Sequence, residues 1–159
     1  MFTPEGRQER ISSIADFPLQ LEPEVIGLSD HQLDTPYRDG GWTIRQVVHH
    51  LADSHMNAFI RMKLVLTEDH PTLKPYLQDE WARLSDAAEL PIASSLAILK
   101  GLHSRWSHLL HNVMESEWQR GATHPEVGEM TLDDLLETYA RHGVTHLSEL
   151  TGLKKAKGW

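Results

Sequence analysis

The chain has 159 residues, 40% apolar and 24% charged, enough for one domain with a sizeable core and too ordinary a mix for disorder. Fifteen Lys and Arg stand against 23 Asp and Glu, a net charge of −8, which speaks against nucleic-acid binding, where clustered cations must displace counterions. Cysteine is absent, which excludes a disulfide framework, Cys-ligated zinc, an iron–sulfur cluster and a cysteine nucleophile.

Four stretches carry helical periodicity, and none carries a convincing strand alternation. The first runs from about Arg7 to Leu28, with Ile11, Ile14, Leu21, Val25 and Leu28 on its apolar side. Pro18 and Pro23 lie inside it, so a kink or break is expected. The second opens at Thr43, where Thr43 and Gln46 have capping-box spacing, and its apolar stripe continues to Val65. Residues 67–90 form a long connection with Pro71, Pro75 and a short helix expected around Asp79–Arg83. The third helix follows Pro91, a residue suited to a first helical position, and continues to Val113. HPEVGEMT reads as extended or as a small hairpin, and the fourth helix then begins with Thr131 and Asp134 as a second capping box. Asp133, Asp134 and Glu137 open that helix, where carboxylates favour the positive dipole end, so they read as capping residues. The basic tail KKAKG reads as a solvated end. Four helices of roughly 20 residues make an all-α four-helix bundle the natural architecture, a single domain over residues 1–159. No apolar run reaches the roughly 18–20 residues of a membrane span, and MFTPEGRQER lacks a signal-peptide apolar region. These features together read as a cytoplasmic protein.

Histidine is the anomaly, at eleven residues. His142 and His146 are four apart, one turn apart on the same helix face, a spacing that can bind one divalent metal. Gly143 stands where a zincin carries its general-base Glu, which excludes a metalloprotease of that type. The bare spacing is weak, since this many histidines produce such pairs by chance. Phase strengthens it, because both rings fall on one flank of the apolar face. A third ligand must come from another helix, and VVHHLADSH offers His49, His50 and His55. Helical phase alone nominates His55, in the middle of the apolar stripe, though a buried neutral imidazole with a hydrogen-bond partner explains that position as well. His50 lies on a polar flank beside Ser54 and Asn57, and His49 on the opposite side. His103 is central on the third helix and reads like His55. His31, His70, His108, His111 and His124 read as surface or loop residues. Glu149, one turn after His146, is placed either to orient that ring or to face water. Trp42 precedes the N-cap and is placed to staple onto the second helix. No G-x-S-x-G elbow, Walker-type loop or G-x-G-x-x-G fingerprint is present.

The run QLDTPYRDGGWTIRQVVHHLADSHMNAFIRMKLVLTE, residues 32–68, resembles the DinB/YfiT-like proteins, in particular the YfiT branch of metal-dependent hydrolases and bacillithiol transferases. The likeness resumes at LHSRW and HP and ends with H-x-x-x-H-L-S-E-L. It implies a four-helix bundle with an up-down-down-up course, in keeping with the long connections. It also implies a homodimer, and a metal held by His50, His142 and His146. Phase and resemblance thus disagree over the third ligand. The resemblance carries more weight, because a reactive metal needs an open face, which a ligand on the polar flank supplies. Relatives often carry extra histidines before the final motif; Arg141, Gly143 and Val144 stand there in this chain, so no auxiliary histidine role is carried over.

Three neutral imidazoles leave a divalent metal its full charge and at least one open position, a centre able to activate a small nucleophile. Zinc is the first expectation and nickel the second, although three-His ligation also fits cobalt or manganese. With no cysteine in the chain, any thiol in the chemistry arrives as a low-molecular-weight cosubstrate. The resemblance, whose family includes low-molecular-weight-thiol transferases, implies a metal-dependent bacillithiol-type transferase acting on a small molecule. A hydrolase activating water and a non-enzymatic metal-binding bundle are the alternatives.

Overall fold

The computed structural model describes residues 2–159. Thr3 caps α1 (Pro4–Val25), its hydroxyl accepting from the Gly6 N–H. The single-turn helix α2 (Asp30–Leu33) follows, and Thr43 and Gln46 then open α3 (Ile44–Thr67) with reciprocal capping-box bonds. Two further single turns, α4 (Gln78–Trp81) and α5 (Ser85–Ala88), interrupt the long connection before α6 (Ala93–His111). A 3-10 turn at Glu115–Glu117 leads to strands β1 (Gly121–His124) and β2 (Gly128–Thr131), and the chain ends in α7 (Leu132–Lys157). The HPEVGEMT segment is thus an antiparallel hairpin, with Gly121 opposite Thr131 and His124 opposite Gly128. Gly128 takes φ +92° there, a conformation that favours glycine.

Long-range contacts give the direction of each long helix. Arg7, early in α1, bonds Asp133 at the start of α7, and Glu24 late in α1 bonds Lys154 late in α7, so these two run parallel. His49 meets Ser95 early in α3 and α6, and Trp106 donates to Met62 late in both, so this pair is also parallel. Arg61, late in α3, reaches Tyr139, early in α7, whereas the earlier His50 reaches the later His142. The course is up-down-down-up. Helix α1 packs on α6 and α7, and α3 packs on the same two, so α1 and α3 occupy opposite corners of the bundle. Helix α3 therefore has two buried faces.

Of the kink or break expected at the prolines of α1, the break does not occur: the helix runs continuously from Pro4 to Val25. Pro18 removes the N–H that would bond the Ile14 carbonyl, but His103 Nδ1 takes that carbonyl at 2.6 Å instead. Leu19, whose carbonyl Pro23 frees, lies on the solvent face at 65% exposure. Burial of Ile11, Ile14, Phe17, Leu21 and Val25 against α6 and α7 then holds the helix in place through both prolines. The basic tail is exposed from Lys155 onward, as expected, but it is helical rather than a loose end. Lys154, Lys155 and Lys157 form the last turn of α7, favourable at the negative dipole end, and Lys154 bonds both the carbonyl and the carboxylate of Glu24.

The carboxylates opening α7 divide their roles. Asp134 caps the helix, Asp133 is buried against Arg7, and Glu137 pairs with Arg10. Apolar packing forms two clusters, one around Ile14, Met62, Trp106 and Leu136, the other around Phe17, Leu21, Leu51 and Leu99. Between them lies a layer of imidazoles. His55 meets Phe17 of one cluster at 5.3 Å between ring centroids, and Trp106 of the other at 5.7 Å.

Gly143 is part of that packing. A Cβ there would stand 2.8 Å from Phe17 Cδ2, and Phe17 is itself wedged against His55 and His103. Gly143→Ala is expected to destabilise the protein by about 1–2 kcal/mol in urea unfolding, because overpacking outweighs the gain in helix propensity. An unchanged or raised midpoint would show that Phe17 can yield.

Candidate metal centre

The structure brings three of the sequence-nominated histidines together. One ring nitrogen from each of His50, His142 and His146 lies within 4.8 Å of the others. Helix α3 supplies the first from its face towards α7, and α7 supplies the other two from successive turns. His50 Nε2 is 3.2 Å from His142 Nε2. Trp42, which precedes the N-cap, packs onto α3 further along than a staple would, tilting over the His50 ring at 4.5 Å between centroids. His50 is buried, at 4% exposure, rather than on a polar flank, because the second buried face of α3 runs through it.

The outer nitrogens of the two α7 rings are engaged. His146 Nδ1 donates to the Glu149 carboxylate at 2.8 Å, so Glu149 lies against that ring rather than only in water. His142 Nδ1 lies 3.1 Å from His55 Nε2. Both Nε2 atoms are left to face the cluster. His55 itself is not in the cluster. It lies behind His142, fully buried between that ring and His103, whose Nε2 is 2.8 Å from His55 Nδ1. The centre of an apolar stripe faces the core, and a ligand must face a cavity. That is why phase alone chose the wrong ring for the cluster.

His49, also on α3, is a structural tie. Its Nε2 donates to the Leu90 carbonyl at 2.9 Å, and its Nδ1 accepts from the Ser95 hydroxyl at 2.7 Å. Of the remaining rings, His70 pairs with Glu129 on the surface, whereas His124 is buried at 8% exposure and lines a cavity.

Burial, with the neighbouring imidazoles adding to it, lowers His50 and His142 to about 3. His103 is lowered to about 4 by burial, opposed by its bond to the Ile14 carbonyl, and burial holds His55 well below the ordinary histidine value. All four are neutral near pH 7, the form that offers a lone pair to a cation.

Two cavities meet at the cluster. One, of about 520 Å³, is lined by Tyr37, Trp42, Asp79, His50, His142 and His146. The other, of about 530 Å³, reaches His142 from the side of Ser54, Arg61, Tyr76 and Tyr139. Gln78 and Asp79 of α4 line both, so the long 67–90 connection roofs the site. Sequence reasoning missed Arg61, Tyr76 and Tyr139, which carry no motif. Arg61 bonds the Tyr139 hydroxyl at 2.8 Å and the Lys74 carbonyl at 2.6 Å, and among the described residues no carboxylate pairs with it.

A family model of the DinB superfamily matches residues 20–150. The chain belongs to the DinB superfamily. It is 51% identical over 154 residues to "Putative metal-dependent hydrolase GK0616" of Geobacillus kaustophilus, covering 96% of this chain and 86% of that one. It is 49% identical over 151 residues to "Putative metal-dependent hydrolase OB0782" of Oceanobacillus iheyensis, covering 95% of this chain and 87% of the relative. Among solved structures it is similar to YfiT from Bacillus subtilis, described as "a probable metal-dependent hydrolase with an unusual four-helix bundle topology". The two share 42% identity and a TM-score of 0.97, over 100% of this chain and 91% of the other. The up-down-down-up course is thus the arrangement of this DinB-superfamily chain. No helix among its described residues is long and apolar enough to cross a membrane.

Proposed function

We propose that this DinB-superfamily protein is a divalent-metal-dependent enzyme in which His50, His142 and His146 hold the metal beside the two cavities. The observation that carries this reading is the convergence of the three rings. A tetrahedral zinc site with Zn–N of about 2.0–2.1 Å has N···N edges of about 3.3 Å, and the His50–His142 separation of 3.2 Å suits it. The Glu149–His146 bond is the carboxylate–histidine arrangement that orients a metal ligand. The names of the relatives speak of metal-dependent hydrolases and support both the metal and the enzyme class. A bound divalent ion supplies a Lewis-acid charge that acidifies an incoming nucleophile. Zinc suits three imidazoles first, and nickel second.

The nucleophile we assign first is a low-molecular-weight thiol of the bacillithiol kind, as the resemblance to the DinB/YfiT-like transferases implies; with no cysteine in the chain, it arrives as a cosubstrate. A free thiol has a pKa of about 8.5 against 15.7 for water, so it needs less help from a base. Among the described residues the one carboxylate bonded to the cluster, Glu149, is engaged on His146 Nδ1. Hydrolysis is the second reading. The relatives' names favour it, and the Asp79 carboxylate lines both cavities as a base for water. On either reading the substrate is a small molecule and the protein acts in the cytoplasm as a homodimer. A net charge of −8 leaves nucleic acid no role.

Purified protein is expected to carry one metal ion per chain, and His142→Ala and His146→Ala are expected to lose it while keeping a helical CD spectrum. Full occupancy in both variants would refute the ligand set. The loaded protein is expected to accelerate conjugation of a thiol to a haloaromatic or epoxide electrophile. Ester or amide hydrolysis that is lost in Asp79→Asn, with conjugation at background, replaces the thiol reading with the hydrolytic one.

A further inference from the structure

Behind the three-His cluster a line of polar contacts crosses the whole bundle. It begins at the Ile14 carbonyl in α1, which Pro18 leaves without its helical partner. His103 Nδ1 of α6 meets this carbonyl at 2.6 Å, and His103 Nε2 meets His55 Nδ1 of α3 at 2.8 Å. His55 Nε2 then meets His142 Nδ1 of α7 at 3.1 Å. The line therefore touches all four long helices in turn. Among the described residues no carboxylate bonds any of the three rings, and His55 and His103 are each 1% exposed.

A carbonyl can only accept, so His103 Nδ1 carries the proton. A neutral imidazole has one donor and one acceptor, so His103 Nε2 accepts and His55 Nδ1 must donate to it. The same step repeats. His55 Nε2 accepts, His142 Nδ1 donates, and His142 Nε2 is left with its lone pair towards His50 and His146. The opposite polarity would aim two N–H groups or two lone pairs at one another somewhere along a buried line.

We infer that the Pro18-freed Ile14 carbonyl sets the tautomers of His103, His55 and His142 in succession, and so presents the His142 Nε2 lone pair to the metal site. His55 and His103 are then positioning residues for a ligand they do not share. The α7 pair is oriented in two different ways, His146 by the Glu149 carboxylate and His142 by an uncharged relay. An uncharged relay adds no negative charge to the centre, which keeps its cationic pull on a nucleophile. The role assigned to the lone pair rests on the metal reading above, whereas the tautomer order does not.

Two-bond proton–nitrogen NMR of the metal-free protein tests the order directly, without any substitution. All three rings are expected to show a pyrrole-type Nδ1 and a pyridine-type Nε2. A protonated Nε2 on His142 in that spectrum would overturn the inference. His103→Phe, which leaves the His55 Nδ1–H without an acceptor, is expected to give a mixed tautomer at His142. His55→Leu is expected to weaken zinc binding about 10- to 100-fold in a chelator competition, the usual effect of losing a ligand's orienting partner. His55→Gln should restore most of that loss, because its amide N–H can face His103 while its oxygen accepts from His142. A purely structural role for His55 would instead lower thermal stability in both variants and leave zinc affinity unchanged in each, and that result would also overturn the inference. Wild-type protein that shows the expected tautomers and binds no zinc would sink the metal reading and leave the relay standing.

Discussion

Metal-free protein is expected to lose stability steeply as the pH falls from 6.5 towards 4. His103 ionises at about 4 in the folded chain, chiefly because it is buried, against about 6.5 when unfolded. Between those values the unfolded state binds the proton and the folded state does not, so stability falls as pH falls. Above 6.5 neither state is charged, and the full contribution is present. Below 4 both are charged, and the loss is complete. For His103 alone the difference amounts to about 3 kcal/mol. His50, His55 and His142 are shifted in the same direction by burial and by one another, so they steepen the same slope. Set against a typical domain stability of about 5–15 kcal/mol, this is enough to bring cooperative unfolding into the mildly acidic range. Urea midpoints at half-unit steps from pH 7.5 to 4.5 would measure it. His103→Phe should flatten the slope, and a wild-type midpoint independent of pH across that range would contradict the account.

Asp133→Ala is expected to be the most destabilising single change outside the histidine layer. Arg7 is 3% exposed and is held by Asp133 through Nε at 2.7 Å and Nη2 at 3.1 Å. Trp118 lies under the guanidinium at 5.1 Å, and Gln119 and the Phe2 N–H complete the shell around the carboxylate. Burial alone would raise the Asp133 carboxyl; the bonds from Arg7 and Phe2 overcome it and hold the group below its usual range. Removing the carboxylate leaves a buried cation whose remaining ionic partner, Glu115, is 69% exposed. Breaking one side of a buried pair costs about 3–5 kcal/mol. Glu115→Gln, at the exposed end of the same network, should cost about 1 kcal/mol or less. Equal losses in the two variants would show that the network is not dominated by its buried member.

The parts of this protein legible in the chain are those set by neighbours three or four residues apart. Thr43 with Gln46, and Thr131 with Asp134, close capping boxes where their spacing placed them. His142 and His146 share a helix face by the same periodicity, and the Glu149 that bonds His146 is one turn further on. The connection between α3 and α6 shows its length and prolines plainly, although not that its Asp79 would roof the site.

Tertiary structure decided everything that joins residues far apart in sequence. His50 meets His142 across 92 residues, His103 meets the Ile14 carbonyl across 89, and Arg7 meets Asp133 across 126. Pro18, read locally, predicts a kink; packed against α6, it frees a carbonyl that a distant imidazole takes. Likewise a hydrophobic stripe defines one inward face of α3, and only the placement of α1 at the opposite corner reveals that α3 turns a second face to α7. Backbone hydrogen bonding and helical pitch act within a turn or two, so a short string of residues specifies them. Which face meets which neighbour depends on how all four helices fill the core together, and no local pattern encodes that.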